Sequence, residues 1–329
     1  MRRIDEKLAK IAQGRYGPRD FILTFCKDAD LVRGCSAAGR DESGRLRNAP
    51  AYRADMRRVI ESDLADIVLS SLANAEIFSE EGIYARSNVT PAVRLTDNTD
   101  IWLVRGGRYA QVPAVPFRSS RLENVRPVAN LGLYALSFYN DIDIDHATLR
   151  AYAEFRQIAA SVGLRHFLRV ADPPIPVDTG PEEYGAYLND VLTRSLAGVA
   201  SKERPLFVEV GYHGPRMMEE LANWDPTRVI VGLTGCKEGT TRDCLERLAQ
   251  GERYGARTAS FSRLDFQCED PVLMMRAMRR VVREGVSSRE AVQAYHAELE
   301  VAGLPPNRPL QEDLELTVPL LSRNHSRAA

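Results

Sequence analysis

Lysine is scarce in this 329-residue chain: Lys7, Lys10, Lys27, Lys202 and Lys237 are the whole set, and all other cationic side chains at neutral pH are arginine or histidine. Few side chains are therefore available for amine chemistry. Cysteine is sparse and odd in number (Cys26, Cys35, Cys236, Cys244 and Cys268), and no CxxC pair occurs. That argues against a disulfide framework or a structural zinc site and for a reducing compartment. An excess of one charge is also missing. With 44 Lys+Arg against 45 Asp+Glu the net charge is −1, so neither nucleic acid nor an anionic membrane is expected as a partner. No run approaches the ~18 apolar residues of a membrane span, and Met1-Arg2-Arg3-Ile4-Asp5-Glu6-Lys7 has no apolar leader core. The expectation is a cytoplasmic protein that takes a small-molecule substrate and no cofactor.

What is present is an alternation. Short apolar or β-branched runs fall at Phe21–Phe25, Ile67–Ser70, Thr90–Leu95, Gly132–Tyr139, Arg165–Ala171, Leu206–Tyr212, Val229–Leu233 and Thr258–Ser262. Amphipathic segments separate them, near Ala51–Glu61, Ala73–Glu81, His146–Val162, Pro181–Ala200, Pro215–Asn223, Thr240–Tyr254 and Pro271–Glu284. Repeated βα units predict a parallel sheet, and eight of them over this length predict an α/β fold of the (β/α)8 TIM barrel type. An open doubly wound sheet is the alternative. It would carry a Gly-rich turn after its first strand, and Phe25-Cys26-Lys27-Asp28 is not one. The barrel is expected to span residues 1–302, with a hairpin and loop inserted after the third strand at about 101–130. A tail follows at 303–329, where Pro305, Pro306 and Pro309 end the last helix. Its Val318-Pro319-Leu320-Leu321 is expected to pack on a surface of this chain or of a partner, and the chain is expected to form a homo-oligomer.

Barrel enzymes keep their chemistry at the C-terminal ends of the strands. Three charges there stand inside apolar runs: Arg94, Arg169 and Glu209. A charge facing a barrel interior is very costly unless paired, so Glu209 with one or both arginines reads as a carboxyl acid/base beside a cationic clamp. Structural ion pairs under the helices are the alternative. Asp97, Tyr139 and His213 also fall at strand ends. Gly235-Cys236-Lys237-Glu238-Gly239-Thr240 joins the seventh strand to a helix, and with Arg263 it reads as an anion pocket. Glycine and threonine also begin helices that bind nothing. Cys26, Cys236 and Cys268 follow strands that adjoin in a closed barrel, which admits either a metal or three free thiols. Asp141, Asp143 and Asp145 admit a cation or an N-cap.

Val208-Glu209-Val210-Gly211-Tyr212-His213-Gly214, Gly235 through Asp243, and Ser260-Phe261-Ser262-Arg263 together resemble the last three strands of archaeal-type class I fructose-bisphosphate aldolases. The wider group includes deoxyribose-phosphate aldolase. The resemblance covers about two-thirds of the chain, strongest from Leu206 to Leu299, and the helix expected at Ser287–Leu299 fits it. It implies a barrel, an active site at the mouth, and a phosphate-binding turn around Gly235, Gly239, Thr240 and Arg263. The departures fall on the chemistry. Glu209 stands where the resemblance puts a Schiff-base lysine, Cys26 where it puts a catalytic aspartate, and Tyr139 matches the catalytic tyrosine only with a shift of one residue.

Glutamate cannot form an iminium, but it can move protons. The resemblance therefore implies lyase or isomerase chemistry beside a carbonyl, on a small polar substrate, phosphorylated or not, without a Schiff base. Glu209 would be the acid/base, with Tyr139 or His213 as a second proton donor. Lys27, close to a strand end, is the candidate for a relocated amine. A catalytically silent barrel serving as a binding partner, or a metal-dependent lyase or hydrolase, are the other readings.

Overall fold

The computed structural model describes residues 2–41, 43–97, 102–118, 120–235, 239–260 and 268–322. Eight parallel strands close into a barrel. In chain order they are β1 (Ile22–Lys27), β2 (Ile67–Ser70), β3 (Thr90–Arg94), β4 (Leu131–Leu136), β5 (Arg165–Val170), β6 (Val208–Val210), β7 (Val231–Thr234) and β8 (Thr258–Ser260). Each pairs with the next, and β8 returns to β1 through Ile22↔Thr258 and Thr24↔Ser260. Helices follow the strands and pack outside them. Side-chain caps start several of these helices: Asn48, Asp141, Thr240, Asp270 and Ser287 each accept a first-turn amide. Asp141 is thus an N-cap, while Asp145 accepts the amide of Tyr139 at 2.8 Å. Among the described residues, no group of three metal-ligating side chains forms, and no helix is long and apolar enough to cross a membrane.

Successive strand residues face opposite sides, and the two apolar clusters divide accordingly. One lies between strands and helices and includes Phe25, Val68, Val93, Tyr134, Leu168 and Leu233. The other fills the barrel, with Ile22, Cys26, Leu69, Ala92, Leu133 and Phe167 among its members. The register sorts the inward side chains into levels of four drawn from alternate strands. From the mouth downward these are Cys26, Arg94, Arg169 and Thr234; then Leu69, Leu133, Glu209 and Ser260; then Thr24, Ala92, Phe167 and Gly232. Phe167 stacks on Phe207 with ring centroids 4.7 Å apart, closing the floor under the polar levels.

The opposite end is sealed by a helix that the sequence reading did not anticipate. Arg3–Ala12 lays Ile4, Leu8 and Ile11 on the barrel floor, at i, i+4, i+7 spacing on one helical face. Burial of each such side chain is worth about 1.5–3 kcal/mol. Lys7 and Arg3 from this helix and Arg283 meet the fully buried Asp66, at 2.8, 2.8 and 2.6 Å. That ion cluster lies at the end of the barrel where stability, not catalysis, is built.

The insertion after β3 begins earlier than expected. Thr96–Asp97 pairs antiparallel with Phe117–Arg118, and the amide of Ala114 donates to the Tyr139 hydroxyl at 2.9 Å. The tail packs on its own chain: Leu314 and Leu321 are buried, and Gln250 donates to the Leu321 carbonyl at 2.9 Å. Among the described residues Cys244 is disulfide-bonded, against the expectation from cysteine spacing, and the exposed Cys35 is a thiol.

Candidate active site

Alternation along β1 decides its two adjacent candidates. Thr24, Cys26 and, just past the strand, Asp28 fall on the inward side; Phe25 and Lys27 fall on the helix side. Lys27 lies over the rings of Phe25 and Tyr52 and pairs with Asp55 of the helix Ala49–Ser62 at 3.2 Å. That is a correction to its expected place at the mouth. Lys7 and Lys10 lie at the barrel floor with Asp66 and Asp20, and Lys202 is on the surface. No described lysine lines the barrel interior; Lys237 lies outside the described residues.

Glu209, Arg169 and Arg94 face inward. The Glu209 carboxyl is wholly buried, and its oxygens are used unequally. Oε2 accepts from Arg169 Nε at 3.1 Å, Arg169 Nη2 at 2.9 Å and the Ser260 hydroxyl at 2.5 Å. Oε1 has no partner among the described residues. Ser260 Oγ itself accepts from Arg169 Nη2 at 2.6 Å, and the same nitrogen reaches Cys26 Sγ at 3.5 Å. The guanidinium therefore spans the interior from β5 to β8 and β1. Burial pushes the Glu209 carboxyl above its usual 4.5; the attraction of Arg169 and the bonds from Ser260 and Arg169 offset this only in part, and the charge of Asp28 adds to it. Burial works against the Arg169 charge as well, but Glu209, with Cys26 and Asp28 adding, outweighs it and the guanidinium stays protonated.

Arg94 donates to Asp28 at 2.6 Å and to the Thr96 carbonyl at 2.8 Å, and both side chains of this pair are buried. Two buried guanidinium–carboxyl pairs thus stand on the inward side of the strands. Asp28 and Ser260 were not singled out from sequence. The β1 alternation signals Asp28; nothing local distinguishes Ser260.

Above Glu209 on the same inward row of β6 is Gly211, where a Cβ would collide with the Asp172 carboxylate. Asp172, just past β5, leans into that gap and its carboxylate accepts a hydrogen bond from His213 Nε2 at 3.0 Å. The Tyr184 ring meets His213 edge-on at 5.3 Å. A carboxylate-oriented imidazole thus lies past the end of β6, packed against the helix Tyr184–Ala197 at Tyr184 and Gly185. Tyr139 lies at the edge of this cluster, with its hydroxyl held by the Ala114 amide.

The expected anion turn is described at its two ends, Gly235 and Gly239 onward. Gly235 and Gly239 both take positive φ, +77° and +113°, as a tight turn requires. The helix-start amides of Thr240 and Thr241 are already bonded to Asp243 and Asp313, at 2.9 and 2.8 Å. Those two amides of the expected anion pocket at Gly235, Gly239, Thr240 and Arg263 are thus engaged within the chain. Arg263 and Cys236 lie outside the described residues, and of Asp97 only the backbone is described. A groove of about 780 Å³ lies elsewhere, between the insertion and the helix Ile142–Val162, and contains none of the site residues.

No family model and no curated protein matches the sequence. Solved structures share the fold. An archaeal fructose 1,6-bisphosphate aldolase superposes with TM-score 0.60 at 17% identity, over 86% of this chain and 100% of that one. A fructose-bisphosphate aldolase from Slackia heliotrinireducens DSM 20476 gives 0.63 at 12% identity, over 90% of each chain. An archaeal fructose-1,6-bisphosphate aldolase with its catalytic Lys covalently bound to the carbinolamine intermediate gives 0.58 at 17% identity, over 85% and 99%. At such identities the likeness establishes a common fold.

Proposed function

We propose that this chain is an aldolase-superfamily enzyme that transfers protons beside a carbonyl through Glu209, without a covalent lysine adduct. The observation that carries the reading is the asymmetry of one carboxyl. Oε2 accepts three donors, so a proton taken up by Glu209 goes to Oε1, the oxygen with no partner among the described residues. A group whose acidity burial has weakened is suited to both accept and return a proton near neutral pH.

In the proposed step Glu209 takes a proton from the carbon, or from the hydroxyl, next to a substrate carbonyl. The electron pair moves towards the carbonyl oxygen as an enediolate forms or a C–C bond breaks. Glu209 then returns the proton, so the step is balanced without any further reactant. A fixed guanidinium charge nearby favours the developing oxyanion in a site of low dielectric. Asp172–His213 supplies a second acid/base on the mouth side. The absence of lysine from the described interior, with Lys27 turned outward, supports the non-covalent version.

Reductive trapping tests this reading. Borohydride added to the protein with dihydroxyacetone should leave the intact mass unchanged. A reduced adduct mapped to any lysine would replace proton transfer by Glu209 with iminium chemistry.

A further inference from the structure

The groove between the insertion and the helix Ile142–Val162 lies on the outer side of β4, away from Glu209. Its volume of about 780 Å³ falls within the ~300–1,000 Å³ that small-molecule pockets occupy. One wall is a single helical face carrying Ala151, Glu154 and Ile158, at i, i+3, i+7 spacing. The insertion and the short helix Leu122–Val125 form the other and bring Arg118, Arg121, Glu123 and Asn124. From β4 comes Tyr134. Its side chain is 1% exposed, and its ring packs on those of Tyr152 and Phe155 with centroids 5.0 and 4.4 Å away. Phenylalanine would fill that space equally well. The neighbouring Tyr152 hydroxyl is bonded to His166 Nε2 at 2.9 Å. The Tyr134 hydroxyl has no hydrogen-bond partner among the described residues, and it lies in the fields of Arg118 and Glu154, both of which line the groove. A buried hydroxyl without a partner is a net cost to folding, so its place at the groove points to a partner that a ligand brings.

The charges of the groove say what that ligand carries. The side chains of Arg118 and Arg121 have no hydrogen bond or ion pair among the described residues. Glu154 pairs with Arg150 at 3.3 Å, which leaves two guanidinium groups against Glu123. A guanidinium fork matches the paired oxygens of a carboxylate, phosphate or sulfonate. Leu122, Ala151 and Ile158 offer an apolar surface beside it. We propose that this groove binds an organic anion, its acidic head at Arg118, Arg121 and the Tyr134 hydroxyl and its apolar body against Leu122 and Ile158. The groove shares no residue with the barrel interior, so this site is independent of the reaction assigned to Glu209.

Fluorescence titration of the intact protein tests this with anilinonaphthalene sulfonate, an aromatic body with an anionic head, and with its uncharged counterpart phenylnaphthylamine. One saturable site is expected, at which the sulfonate binds at least about tenfold more tightly, a difference of ~1.4 kcal/mol. Arg118→Gln and Tyr134→Phe should each weaken the sulfonate about tenfold. Ala151→Trp, which fills the groove, should abolish its binding. Tyr134→Phe also controls for a structural role: with no partner in the chain, loss of the hydroxyl should leave Tm equal to wild type or higher. Glu209→Gln should leave the titration unchanged. Equal affinities for the charged and uncharged probes, or no saturable binding of either, would overturn the proposal. So would a sulfonate titration unaltered by Arg118→Gln and Ala151→Trp, a lower Tm in Tyr134→Phe, or a loss of binding in Glu209→Gln, which would place the probe inside the barrel.

Discussion

Removing the Glu209 carboxylate should damage the barrel far more than removing both members of its pair. In Glu209→Leu the Arg169 guanidinium stays buried with only Ser260 and Cys26 for company. Breaking a buried pair in this way costs about 3–5 kcal/mol, a large share of the ~5–15 kcal/mol that holds a typical domain folded. Glu209→Gln keeps an acceptor at the same place, so its loss should fall near the low end, about 3 kcal/mol. Arg169→Met with Glu209→Leu replaces the pair by apolar side chains of similar volume and should return to within about 1 kcal/mol of wild type or exceed it. Urea unfolding followed by circular dichroism measures these three variants, Arg169→Met alone and wild type. Losses in the double variant equal to the sum of the two singles would mean that the side chains do not interact, and the site geometry would be wrong. The sign of the pH dependence is a further check. A carboxyl whose folded pKa lies above its unfolded value favours folding most below pH 4.5, and that contribution is lost as pH rises towards the folded value. Wild type should therefore lose ground to Glu209→Gln as pH increases from the ordinary carboxylate range.

Three further outcomes are expected. Thr258 Oγ1 is buried without a partner among the described residues, so Thr258→Val should stabilise by roughly 1 kcal/mol; a loss measured by urea unfolding would mean that the hydroxyl is satisfied. Burial, with Arg156 adding, lowers the His166 pKa from 6.5 to about 3. The unfolded chain thus takes up this proton first, and wild-type stability should fall from pH 6.5 downward by up to about 5 kcal/mol. His166→Gln should flatten that limb, and an unchanged acid profile would contradict a neutral buried imidazole. Asp66 anchors Arg3, Lys7 and Arg283 at the barrel floor. Asp66→Asn should cost about 3–5 kcal/mol with little effect on ketone affinity; a large change in calorimetric Kd would remove the separation between the two barrel ends.

Much of the fold was legible because the signals were local. Ile67–Ser70 and Pro271–Glu284 have the bounds the sequence predicts, the second because Asp270 and Pro271 form a cap with proline at the first position. The sixth strand is shorter than its apolar run, Val208–Val210 inside Leu206–Tyr212, since burial of the flanks does not require ladder pairing. Arg3–Ala12 escaped notice because its three core residues are spaced among charges. At the site, Arg94, Arg169 and Glu209 were conspicuous as charges inside apolar strands. Asp28 was hidden beyond the end of β1, although counting by two from Thr24 reaches it, and the same count turns Lys27 away. The Gly-Thr-acid pattern at Gly239–Asp243 was ambiguous in principle: a helix that caps itself and one that binds an anion look alike locally. Asp313, which closes that helix start, lies far along the chain and gives no local sign of it.

Solvent exchange is the sharpest test of a proton-transferring Glu209. Wild-type protein and Glu209→Gln are incubated with dihydroxyacetone in deuterated buffer, and loss of the carbon-bound proton signal is followed by NMR across the pH range. The account predicts washout by wild type and a drop of about 10²–10⁴-fold in the variant, with the fold intact. Equal rates in the two proteins would contradict it.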